Sequence, residues 1–259
     1  ILYAKGKTYQ TLPLYNNLKT KGNYIYATDF DIRGKSATIT VEGELRNEDV
    51  DKDVTLEVNV VEMVDPNKDS TDADADHTKQ PYLRYSFKSD ATSVKTAKDT
   101  GADSHFMTTV PDDAYDDNPA ATSTETVDVT KIVASAKCED MKFWSPDSPN
   151  LYDVYTVLKD SEGNVLDVQK TTTGFRKVEY GINDGGLKIN DQPVWLTGYA
   201  QRSTNEWAVI GVANDWLQDL DMQWIKESNS NFIRWMHVAP KPSQIRSGDK
   251  YGVVSACPA

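Results

Sequence analysis

Cysteine is scarce in this chain. Of its 259 residues only two are cysteine, Cys138 and Cys257, so at most one disulfide could form. We predict that the two lie in different domains, and therefore expect no bond between them. The redox compartment stays open, although we favour an extracytoplasmic location, either periplasmic or secreted.

Long apolar runs and an excess of cations are also missing. The sequence has no run of 18 apolar residues, so no segment is predicted to span a membrane. Lysine and arginine number 28 against 40 acidic residues, which gives a net charge of -12. This charge repels phosphate and anionic lipid, so nucleic acid and membrane surfaces are excluded as expected partners. A neutral or cationic small molecule is compatible with it.

A starting methionine and a signal peptide are absent too. The sequence opens on Ile1-Leu2-Tyr3 and ends on Cys257-Pro258-Ala259 directly after an apolar run. We therefore expect an internal fragment of a longer protein. Residues 1–22 carry turn formers with little periodicity, and we interpret them as a linker or as the end of a preceding jelly-roll sandwich.

Residues 23–175 have the pattern of β-strands. Apolar and polar residues alternate in Ala37–Leu45 and in Val54–Val60, which predicts strands with one buried face. The polar segment Asn47–Asp53 between them is predicted to be a hairpin loop. Further strands are predicted at Tyr82–Lys88, Thr124–Val129, Asp153–Lys159 and Val165–Thr172. About seven short strands over this length indicate an immunoglobulin-like β-sandwich with enlarged loops.

Two acidic stretches, residues 65–81 and 111–120, lie in those loops. Clustered carboxylates suit a calcium ion, but the spacing does not match an EF-hand. We therefore favour solvated surface loops, and no metal ligand is assigned.

The period changes from Val194 onwards. Val194–Tyr199, Phe232–Met236 and Val253–Cys257 are predicted to be strands. Helices are predicted at Asn214–Ser228, with Asn214 as N-cap, and at Ser243–Lys250, ending at Tyr251-Gly252. Strand–helix–strand–helix–strand is typical of a parallel α/β unit.

Four stretches resemble motifs of glycoside hydrolase family 2, which includes β-galactosidases, β-glucuronidases and β-mannosidases. They are Phe143–Tyr152, Gly174–Val178, Ile189–Gly198 and Asn231–His237 with Pro240. The resemblance implies a sandwich over residues 23–175, followed in residues 176–259 by the first βαβαβ part of a (β/α)8 catalytic barrel. It also implies that both catalytic glutamates lie on later strands, so that this fragment contains no catalytic residue and is inactive alone.

The resemblance assigns substrate contacts to the second barrel strand. Arg234 matches an arginine near the nucleophile, where a guanidinium keeps a carboxylate ionised. His237 matches a histidine that touches sugar hydroxyls. A structural salt bridge and a packed histidine are the alternatives. After the first strand, Gln201-Arg202 replaces the usual Asn-x-His or Arg-His pair. This departure argues against galactosidase or glucuronidase specificity and indicates a divergent subgroup, and Arg202 is a third candidate.

Four more residues complete the expected substrate-binding set. Asn205-Glu206 copies the pair that carries the family's acid/base, but it follows the first strand, not the fourth, so we interpret it as part of the rim. Trp207 and Trp235 could stack on a sugar or belong to the core.

The resemblance implies that the parent protein is a retaining exo-glycosidase acting on a β-glycoside, with this piece as supporting sandwich and pocket wall. Its partner would be a carbohydrate, and a homo-oligomer is left open. No cofactor is expected, although a Mg or Na ion occurs in some relatives. The alternative function is a non-catalytic carbohydrate-binding or adhesive sandwich.

Overall fold

The structure is a computed structural model. It describes residues 5–13, 20–63, 81–98, 128–181, 186–202, 214–237 and 239–257.

Two antiparallel sheets form a β-sandwich in the first part of the chain. Its strands are β1 (Thr8–Gln10), β2 (Tyr24–Asp31), β3 (Ser36–Asn47), β4 (Lys52–Glu62), β5 (Tyr82–Lys88), β6 (Thr92–Val94), β7 (Thr130–Cys138), β8 (Tyr152–Asp160) and β9 (Val165–Thr173). In the first sheet, β3 pairs with β1, β2 and β7. In the second sheet, β4 pairs with β5, β6 and β8, and β8 pairs with β9.

Alternation along the central strands builds the sandwich core. In β4, Val54, Leu56, Val58 and Val60 are buried while the residues between them are half-buried. They pack against the buried side chains of β3, β7 and β8. Each sheet thus buries one apolar face against the other. The predicted mainly β architecture is confirmed.

The prediction of a hairpin at Asn47–Asp53 is wrong. β3 and β4 belong to different sheets, so this segment crosses the edge of the sandwich. The Asn47 side chain fixes the corner, since its Nδ2 donates to Val50 O at 2.9 Å and its Oδ1 accepts from Thr8 Oγ1 at 2.7 Å. Alternation showed that both strands bury one face, but two such strands can face each other instead of pairing.

Two further features of the sandwich differ from expectation. β7 was not predicted, because its small residues Ala134 and Ser135 give a weak β signal.

Residues 1–22 are not only a linker, since β1 pairs with the end of β3. Gln10 Nε2 also donates to Thr156 O at 3.0 Å, which ties this segment to β8. The predicted strand Thr124–Val129 lies largely outside the described residues.

A small antiparallel sheet follows the sandwich. It consists of β10 (Val178–Gly181), β11 (Gly186–Ile189) and β12 (Gln192–Pro193). The turn between β11 and β12 consists of Asn190 and Asp191. Their φ angles are 52° and 63°, the left-handed values of a two-residue hairpin turn. This confirms the predicted turn.

The C-terminal part is a parallel βαβαβ unit. It consists of β13 (Gly198–Arg202), α1 (Asp215–Glu227), β14 (Phe232–Met236), α2 (Pro242–Tyr251) and β15 (Val254–Ala256), with β14 in the centre of the sheet. Both predicted helices are confirmed, α1 with Asn214 at its N-cap position and α2 with the left-handed Gly252 at its C-cap. No helix in the described ranges is both long and apolar enough to cross a membrane.

The first strand of this unit begins later than predicted. Val194–Thr197 precedes β13, because the Asn231 side chain takes the backbone groups that strand pairing would use. Its Oδ1 accepts from Thr197 N at 3.0 Å, and its Nδ2 donates to Trp195 O at 2.9 Å. At Gly198 β13 comes so close to β14 that a Cβ atom would lie 1.8 Å from Phe232 O. Glycine is therefore required where pairing begins.

Candidate functional site

The joint between the sandwich and the parallel unit is centred on Trp144. We define the joint as Trp144–Pro146, Gly174–Arg176 and the end of α2. The Trp144 side chain is 2% exposed, and its ring Nε1 donates to Asp249 O on α2 at 2.7 Å. The Arg176 guanidinium lies 4.7 Å from the centre of its ring, within the range of a cation–π contact. Two of the four motifs therefore meet here, far apart in sequence.

Other contacts hold the helices to the same turn. Lys226 Nζ on α1 donates to Pro146 O at 2.9 Å. A Cβ atom on Gly252 would lie 2.3 Å from the same carbonyl oxygen, so only glycine lets α2 end this close to the turn. The joint fixes the parallel sheet relative to the sandwich.

Sequence reasoning missed Asp249, an acidic residue of the joint whose backbone carbonyl accepts from Trp144. Burial raises the pKa of its carboxyl, and the nearby Arg176 charge only partly opposes this. The residues around Asp249 come from a distant part of the sequence, so the residues next to it on α2 give no signal that its carboxyl is buried.

The helix-facing side of the parallel sheet is a small core. Ile233 and Trp235 of β14 pack with Met222 and Ile225 of α1 and with Val253. Trp235 is completely buried, and its Nε1 donates to Ser255 Oγ at 3.3 Å. The expected sugar contact of Trp235 is therefore not available, because its ring is enclosed by the helices. Trp235 is a core residue.

The opposite side of the sheet, which we call the open face, carries two of the predicted cations. Because side chains alternate along a strand, Arg234 lies on the face away from Ile233 and Trp235. Arg202 shares this face, since its register partner is Met236, two residues beyond Arg234. The two Cα atoms are thus offset by about 7 Å along the strand direction.

Arg202, Arg234 and His237 are all exposed. Their side chains make no hydrogen bond or ion pair to any described residue, so the salt bridge considered for Arg234 and the packed position considered for His237 are not found there. His237 follows β14 directly, at the carboxyl end of the sheet, and the Met236–His237 peptide bond is cis. Three groups that can donate hydrogen bonds therefore lie at or near the edge where parallel α/β folds bind ligands.

Asn205, Glu206 and Trp207 lie outside the described residues, as do most of the two acidic stretches. Within the described ranges no group of three His, Cys, Asp or Glu side chains is arranged to hold a metal ion. Both cysteines are free, with Cys138 buried and Cys257 exposed.

On the helix side, the carboxyl end of β13 contacts α1. Gln201 Nε2 donates to Asp221 Oδ2 at 3.1 Å, and burial raises the pKa of the Asp221 carboxyl. This hydrogen bond holds the Gln201 side chain on the helix side, so Arg202 is the residue of the Gln201-Arg202 pair that lies on the open face.

Comparison with known proteins points to one enzyme class. A beta-glucuronidase of Formosa agariphila is 30% identical over 259 residues, which cover 99% of this chain and 21% of the relative. A beta-galactosidase of Photobacterium profundum is 32% identical over 111 residues, 42% of this chain and 10% of the relative. A solved beta-glucuronidase from glycoside hydrolase family 2 superposes with a TM-score of 0.72 at 26% identity, covering 98% of this chain and 21% of that one.

The relatives and the fold place this chain among the glycoside hydrolases. The family described as "Glycosyl hydrolases family 2" matches residues 23–176, more than half of the chain. The chain belongs to this family, as its four motifs indicated. It spans about a fifth of the length of the beta-glucuronidase that it matches from end to end.

Proposed function

We propose that this chain is part of a retaining exo-glycosidase that hydrolyses the terminal residue of a β-glycoside. Its sandwich supports the catalytic domain, and its parallel unit is the first βαβαβ part of a (β/α)8 barrel. The observation that carries the proposal is the open face. Two strands of a parallel sheet present exposed, unpaired arginines on the side away from the helices, which is the interior side of such a barrel.

The reaction would require two carboxylates about 5 Å apart, one acting as acid/base and the other as nucleophile. Both would come from other parts of the whole protein. Arg234 would hold the nucleophile in its ionised form, because a nearby guanidinium lowers the pKa of a carboxylate. His237 would donate to a sugar hydroxyl. No step of this scheme requires a cofactor.

We further propose that the sugar is a uronate. One relative that aligns with the whole chain is a beta-glucuronidase, whereas the beta-galactosidase of Photobacterium profundum aligns with less than half of it. Arg202 supplies the matching chemistry, since an exposed and unpaired guanidinium binds a carboxylate through two parallel hydrogen bonds. The overall charge of -12 would oppose an anionic substrate, so a local cation is needed for this specificity.

The test compares the whole protein with the 259-residue chain on 4-nitrophenyl β-D-glucuronide and 4-nitrophenyl β-D-galactoside. We expect the whole protein to release nitrophenol, faster from the glucuronide, and the chain alone to release none. Proton NMR of the first product should show the β anomer, because retention preserves the configuration. If the whole protein cleaves no aryl β-glycoside, the glycosidase proposal is wrong and a non-catalytic binding role is favoured.

Substitutions in the whole protein test the individual roles. Arg202→Ala should raise KM for the glucuronide by about tenfold to a hundredfold, the value of one or two charged hydrogen bonds, and leave the galactoside unaffected. Arg246→Ala is the matched control, since Arg246 is an exposed arginine on α2, on the helix side of the same unit. Equal effects of the two substitutions would contradict the role of Arg202.

A further inference from the structure

A second cleft lies at the other end of the parallel sheet. It has a volume of about 260 Å³ and lies between the Ser145–Asp147 turn, the β11–β12 hairpin and the segment that enters β13. Trp195 and Asn231, which line it, precede β13 and β14, so the cleft is at the amino ends of these strands. Five residues of strand, roughly 17 Å, separate it from the carboxyl ends that carry Arg202 and His237.

One wall of the cleft is an exposed indole. Trp195 is 86% exposed, the largest value among the exposed large apolar side chains in the described part of the chain. Its backbone is nonetheless held, because Asn231 donates to its carbonyl oxygen and also accepts from Thr197 N. A fixed backbone with an exposed aromatic ring needs little ordering when a ligand stacks on it.

The rest of the lining is apolar at the bottom and polar at the rim. Ile189 is buried and Val194 half-buried, and both pack against Trp144. At the rim, Asp147 and Gln192 are exposed, and their side chains make no hydrogen bond to another described residue. A carboxylate that accepts, an amide that donates and accepts, and an aromatic wall are therefore all available to a ligand.

We propose that this cleft binds one neutral pyranose ring of a β-linked oligosaccharide, as a site separate from the open face. The C–H face of a pyranose with equatorial hydroxyls is flat and apolar, and it would stack on the Trp195 indole. The hydroxyls would donate to Asp147 and bond to Gln192. Asp147 would repel a uronate, so this site would favour a neutral sugar, whereas the open face is proposed to bind an anionic one. A volume somewhat below the roughly 300–1,000 Å³ of pockets for drug-sized ligands fits a single ring.

The proposal is tested by titrating the 259-residue chain with cellotetraose and following its indole N–H signals by NMR. We expect a saturable shift of the Trp195 signal. No such shift is expected with the tetraglucuronate obtained by oxidising the primary alcohols of cellotetraose, which keeps the β linkage and the ring configuration and adds only the carboxylates. Trp195→Ala should weaken binding about tenfold, because it removes the stacking wall while disturbing no buried contact.

Trp224→Ala is the matched control, since Trp224 is a 55% exposed tryptophan on α1 and outside the cleft. It should change the affinity less than twofold. Absence of a saturable shift, equal losses in both variants, or equally tight binding of the tetraglucuronate would each overturn the proposal. Binding is measured without catalysis, so its failure is separate from a failure of the glycosidase assay.

Discussion

The joint and the open face contain most of the family motifs, yet they differ in where their polar groups find partners. At the joint, the Trp144 ring donates to Asp249 O, and Arg176 stacks on the same ring. On the open face, Arg202 and Arg234 contact no described polar group. A cation with a partner inside the chain contributes to stability. An exposed cation without a partner carries no desolvation penalty and is available to a ligand.

The comparison also separates two tryptophans that lie in two different family motifs. Trp144 is buried between two domains, while Trp195 is 86% exposed at the edge of the same region. Both lie near the turn Ser145–Asp147. The first therefore fixes the orientation of the parallel unit, and the second is free to contact another molecule.

The largest effect is expected at the joint. Trp144→Ala should lower the free energy of unfolding by about 3–5 kcal/mol, because it leaves a cavity and removes the hydrogen bond to Asp249 O. Urea denaturation followed by circular dichroism measures this loss. Trp224→Ala, at an exposed site, should change stability by less than about 0.5 kcal/mol. Similar losses in both variants would mean that the joint does not stabilise the chain.

A smaller effect that depends on pH is expected at Asp249. Its raised pKa means that the folded state binds the proton more tightly than the unfolded state does. The free energy of unfolding therefore falls as the pH rises from the usual carboxyl pKa, about 3.9, through the higher folded value, and the full cost of ionisation is present above it. Below both values the cost is absent.

Asp249→Asn removes that ionisation. The variant should have a higher Tm than the unmodified chain at pH 7, and this increase in Tm should be smaller than the decrease in Tm caused by Trp144→Ala. The difference in Tm between the variant and the unmodified chain should shrink as the pH falls toward 3. Comparing the two proteins at each pH cancels the titration of all other groups. If the difference in Tm is the same at every pH, ionisation of Asp249 does not destabilise the folded chain.

Local signals explain which parts of the fold could be predicted. Asn214 and Gly252 mark the N-cap of α1 and the C-cap of α2 at the correct positions, because helix ends are set by a few neighbouring residues. The alternation in β4 identified its buried face, but it could not identify its sheet, because strand pairing depends on distant residues. The contact between Trp144 and Asp249 joins positions 105 residues apart and was equally invisible.

The candidate site was predictable in part, and the sequence contained one signal that the prediction did not use. Arg234 and His237 are exposed, and their place in the pocket wall stays a prediction. Trp235 could have been excluded from the sequence alone. It alternates with Arg234 along one strand, so the two side chains must lie on opposite faces of the sheet. The apolar residues of α1 and α2 need an apolar face to pack on, and that is the face of the sheet with Ile233 and Trp235.

The smallest effect on stability is expected on the open face. Arg202→Ala and Arg234→Ala should each change the free energy of unfolding of the 259-residue chain by less than about 0.5 kcal/mol, because neither side chain contacts a described polar group. Urea denaturation checks this under the conditions used for Trp144→Ala. If either arginine proves to be worth more than about 1 kcal/mol, it serves the fold of this unit, and its assignment to the pocket wall loses its physical basis. A negligible change in stability, combined with a large change in KM in the whole protein, would instead identify the open face as a surface kept for substrate.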